Sequence, residues 1–304
     1  MTQLLLTLTT ALSLLVFGSA LADSDHHADS TAFKQQKITE QLYLLQGRGG
    51  NIGLLKGDDG IVLIDDDYKD LSSALATALE SHGGRDNLQY IINTHWHGDH
   101  TEGNLEFGQN AVIIAHENVR KRLSTSQEIK LFNMKSAPYP DDALPSVTFR
   151  QQLNLHINDE DITLLHLSNG HTDGDSIVIF KRANTVHLGD HYFAGMFPFI
   201  DTATGGNVVS MADNIDSVLT LIDDSTAVIP GHGPLASKQD LAGYRDMLRG
   251  TTAEVATMRA AGMSLTQMQA QGLSQQWQNW GHGFIKQPVW ISIVNTSLAE
   301  QSKP

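Results

Sequence analysis

The chain has 304 residues, enough for one ordinary domain or two small ones, and at 40% hydrophobic and 18% charged its composition is globular. A net charge of −14, from 34 acidic against 20 basic residues, repels phosphate backbones and argues against nucleic acid as a partner. There is no cysteine, which excludes disulfides, thiolate zinc sites, iron–sulfur clusters and a cysteine nucleophile, whereas histidine occurs 14 times.

Residues 1–22 carry no charge. Leu4–Leu6 and Ala11–Phe17 form an apolar core, and Ala20-Leu21-Ala22 is a small-x-small cleavage pattern ahead of polar Asp23-Ser24-Asp25. This predicts a signal peptide cut after Ala22 and a periplasmic or secreted protein, although Met1-Thr2-Gln3 lacks the usual basic residue. The stretch is short and diluted for a membrane anchor, and no other segment could span a bilayer, so no stable insertion is expected after cleavage. His26-His27 stands in a polar tail without a third ligand nearby and reads as solvated. Residues 23–304 are expected to form a single domain.

Strands and helices then alternate. Gln41–Gln46 and Ile52–Lys56 read as strands, followed by the turn Gly57-Asp58-Asp59-Gly60 and a buried strand, Ile61–Ile64, that ends at Asp65-Asp66-Asp67. Leu71–Ser81 has helical spacing and stops before Gly83-Gly84. Tyr90–Asn93 and Ala111–Ala115 are further strands, and Glu117–Leu123 a helix. Gln127–Pro145 is polar and broken by prolines, as in a loop or flap. Leu153–Ile157, Ile162–Leu167, Ser176–Phe180 and Thr185–Leu188 make a strand-rich second half. Met211, Ile215, Val218, Leu219 and Ile222 fall on one helical face, Ala227–Ile229 is a strand, and Leu241, Tyr244, Leu248, Val255 and Met258 trace another helix. Two runs of strands, each followed by helices, suggest two packed sheets covered by helices.

The chemistry concentrates in Thr94-His95-Trp96-His97-Gly98-Asp99-His100, just after a strand. Imidazole and carboxylate are the donors zinc takes when thiolate is absent. His95 and His97, two apart, point the same way in extended backbone and can share an ion. Asp99 and His100 lie past Gly98, where the chain can turn toward a second one. Trp96 faces the opposite side and reads as packing.

H-x-H-x-D-H after a strand resembles the signature of the metallo-β-lactamase superfamily, whose fold is a four-layer αββα sandwich. Further segments match in order. His171 lies in Gly170-His171-Thr172, Asp190 in Leu188-Gly189-Asp190 and His232 in Pro230-Gly231-His232-Gly233-Pro234, while Asp65 resembles the family's buried structural aspartate. The resemblance covers roughly residues 38–240. It implies that His95, His97 and His171 hold one metal, that Asp99, His100 and His232 hold a second, and that Asp190 bridges them. It also implies two Zn2+ ions per chain, with iron or manganese as alternatives, and hydroxide attack on a carbonyl of a small molecule: β-lactam, lactone, ester or thioester. Asp99 would steer or shuttle the proton.

The thiolate-containing β-lactamase class is excluded, and the lysine it carries would fall at Phe193. A glyoxalase-II-like thioesterase or a lactonase without β-lactamase activity is the alternative, Tyr192 being a candidate lactonase tyrosine. Readings of another class are an iron-dependent oxidoreductase, disfavoured because His97 is retained, and a non-catalytic metal-binding protein. His187 and His191 are expected beside or away from the site, His116 in a packing or capping role, and His82, His156, His166 and His282 as structural or solvated. Substrate choice is expected from two mobile segments: Gln127–Pro145, with Phe132, Met134 and Tyr139, and Tyr192–Asn207, with Phe193, Met196, Phe197 and Phe199.

Overall fold

A computed structural model describes residues 32–301. The proposed leader 1–22 and the His26-His27 pair lie outside the described residues. In chain order the strands are β1 Lys34–Lys37, β2 Leu42–Gln46, β3 Ile52–Gly57, β4 Gly60–Ile64, β5 Leu88–Asn93, β6 Val112–His116, β7 Gln127–Ile129, β8 Met134–Ser136, β9 Val147–Phe149, β10 Gln152–Ile157, β11 Glu160–His166, β12 Ser176–Phe180, β13 Thr185–His187 and β14 Ala227–Ile229. The helices are α1 Ser72–Glu80, α2 Gly98–Thr101, α3 Asn104–Phe107, α4 Glu117–Leu123, α5 Val208–Leu221, α6 Lys238–Ala260, α7 Leu265–Gln271 and α8 Gln287–Gln301.

One sheet runs β1-β2-β3-β4-β5-β6-β9 and the other β10-β11-β12-β13-β14. Each begins antiparallel and ends parallel, the change falling at β4–β5 in the first and β13–β14 in the second. Period-two alternation sorts the side chains into layers. On β4, Ile61 and Leu63 face Leu75 and Leu79 of α1, whereas Val62 and Ile64 face Ile162, Leu164, Val178 and Phe180 of the second sheet. On β12, Ile177 turns outward onto the core shared with α5, α6 and α8. Helix, sheet, sheet, helix is therefore the layer order: the four-layer αββα sandwich.

The helical layer is built from capped helices. Asn207 caps α5 through bonds from the Val209 and Ser210 amides, and Ser237 with Asp240 forms a capping box on α6. Three features differ from the sequence reading. β1 is paired to β2 although all four residues are polar and exposed, so hydropathy gives it no signal. Gln127–Pro145 is not one open loop: it contains the β7–β8 hairpin, and its end buries Ala143 and Leu144. α8 buries Trp290, Ile291, Ile293 and Val294 on several sides, so it lacks the stripe that periodicity detects. Among the described residues, no helix is long and apolar enough to cross a membrane.

Candidate metal centre

The seven residues picked out in the sequence meet at one edge of the sandwich. His95, His97, Asp99 and His100 follow β5 in a bend that continues into α2. Asp65, left-handed at φ 65° at the end of β4, pins this bend: its carboxylate accepts from the Thr94 amide at 2.7 Å and the Thr94 hydroxyl at 2.8 Å. His171 precedes β12, Asp190 sits in a short helical turn just after β13, and His232 follows β14. Close backbone approach is needed at Gly50 and Gly231, where an added Cβ would strike the His100 ring and Asp190 Oδ1 respectively.

The side chains form two donor groups: His95, His97, His171 and Asp190 in one, and Asp99, His100 and His232 in the other. In the first, His97 Nδ1 lies 3.1 Å from His95 Nε2 and 2.8 Å from His171 Nε2. In the second, His232 Nε2 and His100 Nε2 lie 3.3 and 3.6 Å from Asp99 Oδ2. Asp190 faces both: Oδ2 is 3.3 Å from His171 Nε2 and 3.7 Å from His95 Nε2, while Oδ1 is 3.1 Å from His100 Nε2 and 3.4 Å from His232 Nε2.

The remaining ring nitrogens of four histidines are engaged, which fixes ring orientation. His100 Nδ1 meets Asp65 Oδ2 at 2.7 Å, His171 Nδ1 donates to the Phe199 carbonyl at 2.8 Å, His97 Nε2 meets Asp201 Oδ2 at 3.3 Å, and His95 Nδ1 lies 3.1 Å from the Thr94 hydroxyl. Asp201 has no signal in the sequence; its place follows from backbone pairing, its amide donating to the His171 carbonyl at 2.9 Å.

Electrostatics separates the groups. Burial holds the His171 pKa down to about 4 and that of His95 well below the ordinary imidazole value, so both present neutral lone pairs. Burial acts the same way on His100 and His232 but is outweighed by carboxylates. Asp190, Asp99 and Asp65 drive His100 well up, and Asp190 with Asp99 pushes His232 up to about 9. Burial likewise opposes ionisation of Asp99 and Asp190. The neighbouring His100 and His232 nevertheless hold Asp99 at about 2 and Asp190 well below the usual carboxylate range.

His100 and His232 thus stand between Asp99 and Asp190, where a bound cation would meet the same two carboxylates. His100 Nε2 and Asp190 Oδ1, though 3.1 Å apart, are buried and misaligned, and neither has a hydrogen-bond partner. Neutral His95 and His171 in one group, and buried imidazoles crowded against carboxylates in the other, are a donor set that suits a divalent cation of borderline softness.

Comparison with known proteins agrees. Residues 45–232 match the model of the family described as Metallo-beta-lactamase superfamily. The chain belongs to this superfamily. A protein of Methanocaldococcus jannaschii named "Probable metallo-hydrolase MJ0888" is 27% identical over 199 residues, covering 63% of this chain and 91% of that one. Among solved structures, a metallo-β-lactamase from Pontibacter korlensis superposes with TM-score 0.57 at 18% identity, covering 71% of this chain and 99% of its own. The inverting sec-alkylsulfatase Pisa1 from Pseudomonas sp. gives TM-score 0.63 at 15% identity over 86% of this chain and 49% of its own. The chain is accordingly a metal-dependent hydrolase of the metallo-β-lactamase fold.

As in an enzyme of this superfamily, the donors open into a cleft. It has a volume of about 340 Å3, and His97, Asp99, Asp190 and His232 contribute to its lining. Its apolar wall is Ile129, Phe132 and Met134 from the β7–β8 region, with Phe193, Phe199 and Phe284. Arg48 and Tyr68, not anticipated from the sequence, complete it. Both stand in turns of the first sheet close to Gly49-Gly50 and Asp67, at the edge that carries the histidines. Arg48 pairs with both carboxylate oxygens of Asp70 at 2.6 and 2.7 Å and lies 5.0 Å over the Tyr68 ring.

The expected substrate segments divide residue by residue. Phe132, Met134, Phe193 and Phe199 line the cleft. Tyr139 is instead anchored to the Thr101 hydroxyl at 3.1 Å. Phe197 stacks on Trp290 at 5.3 Å inside the helical core, and Tyr192 packs on Tyr244 at 5.0 Å. Tyr192–Asn207 is therefore no loose lid, because much of it is a wall of that core, and Tyr192 is absent from the cleft. Among the other histidines, His116 caps α4 by accepting from the Asn118 amide. His187 bonds the Asn51 carbonyl, and His191 is buried against Asn214. Trp96 packs with Val119, Leu123 and Leu144.

Proposed function

We propose that the chain is a dinuclear zinc hydrolase acting on a small-molecule carbonyl compound. One observation carries the two-metal reading: the two oxygens of Asp190 face different donor groups. His95, His97 and His171 would hold one ion, Asp99, His100 and His232 the other, and Asp190 would join them. Bound zinc supplies Lewis acidity and a water whose pKa falls to about 7. Asp99, part of the cleft lining, would orient a water at the cleft and accept its proton.

Within the carbonyl class, the cleft favours an ester, thioester or lactone with apolar substituents over a β-lactam. A β-lactam carboxylate calls for a cation, yet Phe193, at the position where the lysine of the thiolate-containing class would fall, stacks 5.0 Å from the His232 ring, and Arg48 is already paired with Asp70. The test is turnover by metal-replete protein on esters, thioesters, lactones and nitrocefin. Cleavage of the first three with little of the last is expected; no cleavage of any overturns the carbonyl reading.

We further propose that residues 1–22 direct export. The apolar Ala11–Phe17 run and the Ala20-Leu21-Ala22 pattern support this reading. N-terminal mass analysis of protein from a periplasmic fraction should begin at Asp23; a chain starting at Met1 and retained inside the cell contradicts it.

A further inference from the structure

A second cavity of about 240 Å3, open to the surface and lined in part by α8, adjoins the catalytic cleft. Two residues line both spaces, Ile129 and Phe199. The lining of the far cavity is mixed: Leu131, Ile200, Val289 and Ile293 form an apolar strip, and Glu128, Lys130, Asp201, Thr202, Ser292 and Thr296 border it. Between the two stands the Phe199 ring. It packs on Phe132 with centroids 5.0 Å apart and lies 5.7 Å from both the His97 and His171 rings. Its backbone does separate work, the carbonyl accepting from His171 Nδ1 at 2.8 Å.

We propose that the far cavity is a subsite for a linear apolar chain, and that the Phe199 ring is the wall that sets how long a chain the enzyme accepts. A substituent growing from a carbonyl held beside His97 and His171 meets this ring after a few carbons. With the ring removed, the same chain continues into the space lined by Ile200, Val289 and Ile293. Because the His171 contact comes from the backbone carbonyl, Phe199→Ala leaves that contact in place. The inference rests on the carbonyl-hydrolase reading for its activity arm only.

The test measures kcat/KM across straight-chain acyl esters and thioesters, from acetyl to dodecanoyl, for the zinc-loaded protein and for Phe199→Ala, Phe199→Trp and the double variant Phe199→Ala with Ile293→Trp. Each methylene newly buried is worth up to about fourfold. The wild type and Phe199→Trp should prefer short chains. Phe199→Ala should raise the octanoyl-to-butanoyl ratio by about tenfold or more, and the double variant should lose the gain because the far cavity is refilled. The second readout is thermal protection by octanoate and decanoate, expected to be larger for Phe199→Ala than for the wild type. An unchanged length profile and unchanged protection in a folded Phe199→Ala protein overturn the proposal. If no variant cleaves any substrate, the carbonyl reading falls, and the alkanoate protection still decides whether the ring is the wall.

Discussion

Asp190→Asn tests the two-metal reading directly. Asparagine keeps the shape but offers one carbonyl oxygen in place of two carboxylate oxygens, and its amide nitrogen must face one of the two donor groups. If the nitrogen takes the Oδ1 position, its hydrogens point at His100 Nε2 and His232 Nε2, 3.1 and 3.4 Å away, and compete for the lone pairs a metal would use. If it takes the Oδ2 position, the same happens at His171 and His95. The groups differ in what remains. His95, His97 and His171 stay a set of three imidazoles, itself sufficient for a catalytic zinc. Asp99, His100 and His232 lose the shared charge. Losing a mere supporting contact typically costs 10–100-fold in metal affinity, so a lost ligand should cost about a hundredfold or more at the second group, about 2.7 kcal/mol. Elemental analysis after dialysis in a buffered zinc series should show one equivalent retained and the second weakened, with turnover falling by a similar factor. Two equivalents of unchanged affinity, with normal turnover, would refute the bridge.

Phe197→Ala should cost about 3–5 kcal/mol and lower Tm by about 6–10 °C while leaving KM within roughly twofold, because Phe197 stacks on Trp290 away from the cleft; a large KM change with normal melting would return it to the substrate wall. Asp201→Ala removes the partner of His97 Nε2 and should weaken zinc binding about 10–100-fold, whereas Asp201→Asn, whose carbonyl still accepts, should recover most of that affinity in competition titrations. Equal losses in both variants would assign Asp201 a role through charge. Chelation should lower Tm by roughly 8 °C, from about 4 kcal/mol of linkage at a thousandfold excess over Kd, and zinc should restore it; an unchanged melt would argue against tight occupancy.

The cluster of donors was legible because its members stand in short motifs, most of them just past the end of a strand and His171 in the loop that leads into β12, so that backbone direction brings them to one edge. His95 to His100 follow β5, and Gly231-His232-Gly233 follows β14. Two packed sheets under helices were legible from the two runs of strands each followed by helices, but the four-layer order came only with the family resemblance, because β4 and β12 are continuous apolar runs buried on both faces and show no alternation. Asp201 was not, since its position depends on a backbone bond to His171 across a loop. Arg48 and Tyr68 were passed over because a single arginine or tyrosine in a turn carries no period. The fates of Phe197 and Phe199, two residues apart, show the same limit: one ring enters the helical core and the other the cleft, and composition treats them alike.

Both donor groups are drawn from both sheets. The segment through β9 supplies His95, His97, Asp99 and His100, and the segment from β10 onward supplies His171, Asp190 and His232. Neither half carries a complete set for either ion, so under the proposed assignment tight capture of metal reports that the halves have docked in register. The metal would then act as a clasp across the seam between the sheets, which meet there by side-chain packing and not by a strand ladder. Two separately produced halves, 32–149 and 150–301, would acquire full zinc affinity only on association, which makes metal uptake a natural readout for complementation and for the last step of folding.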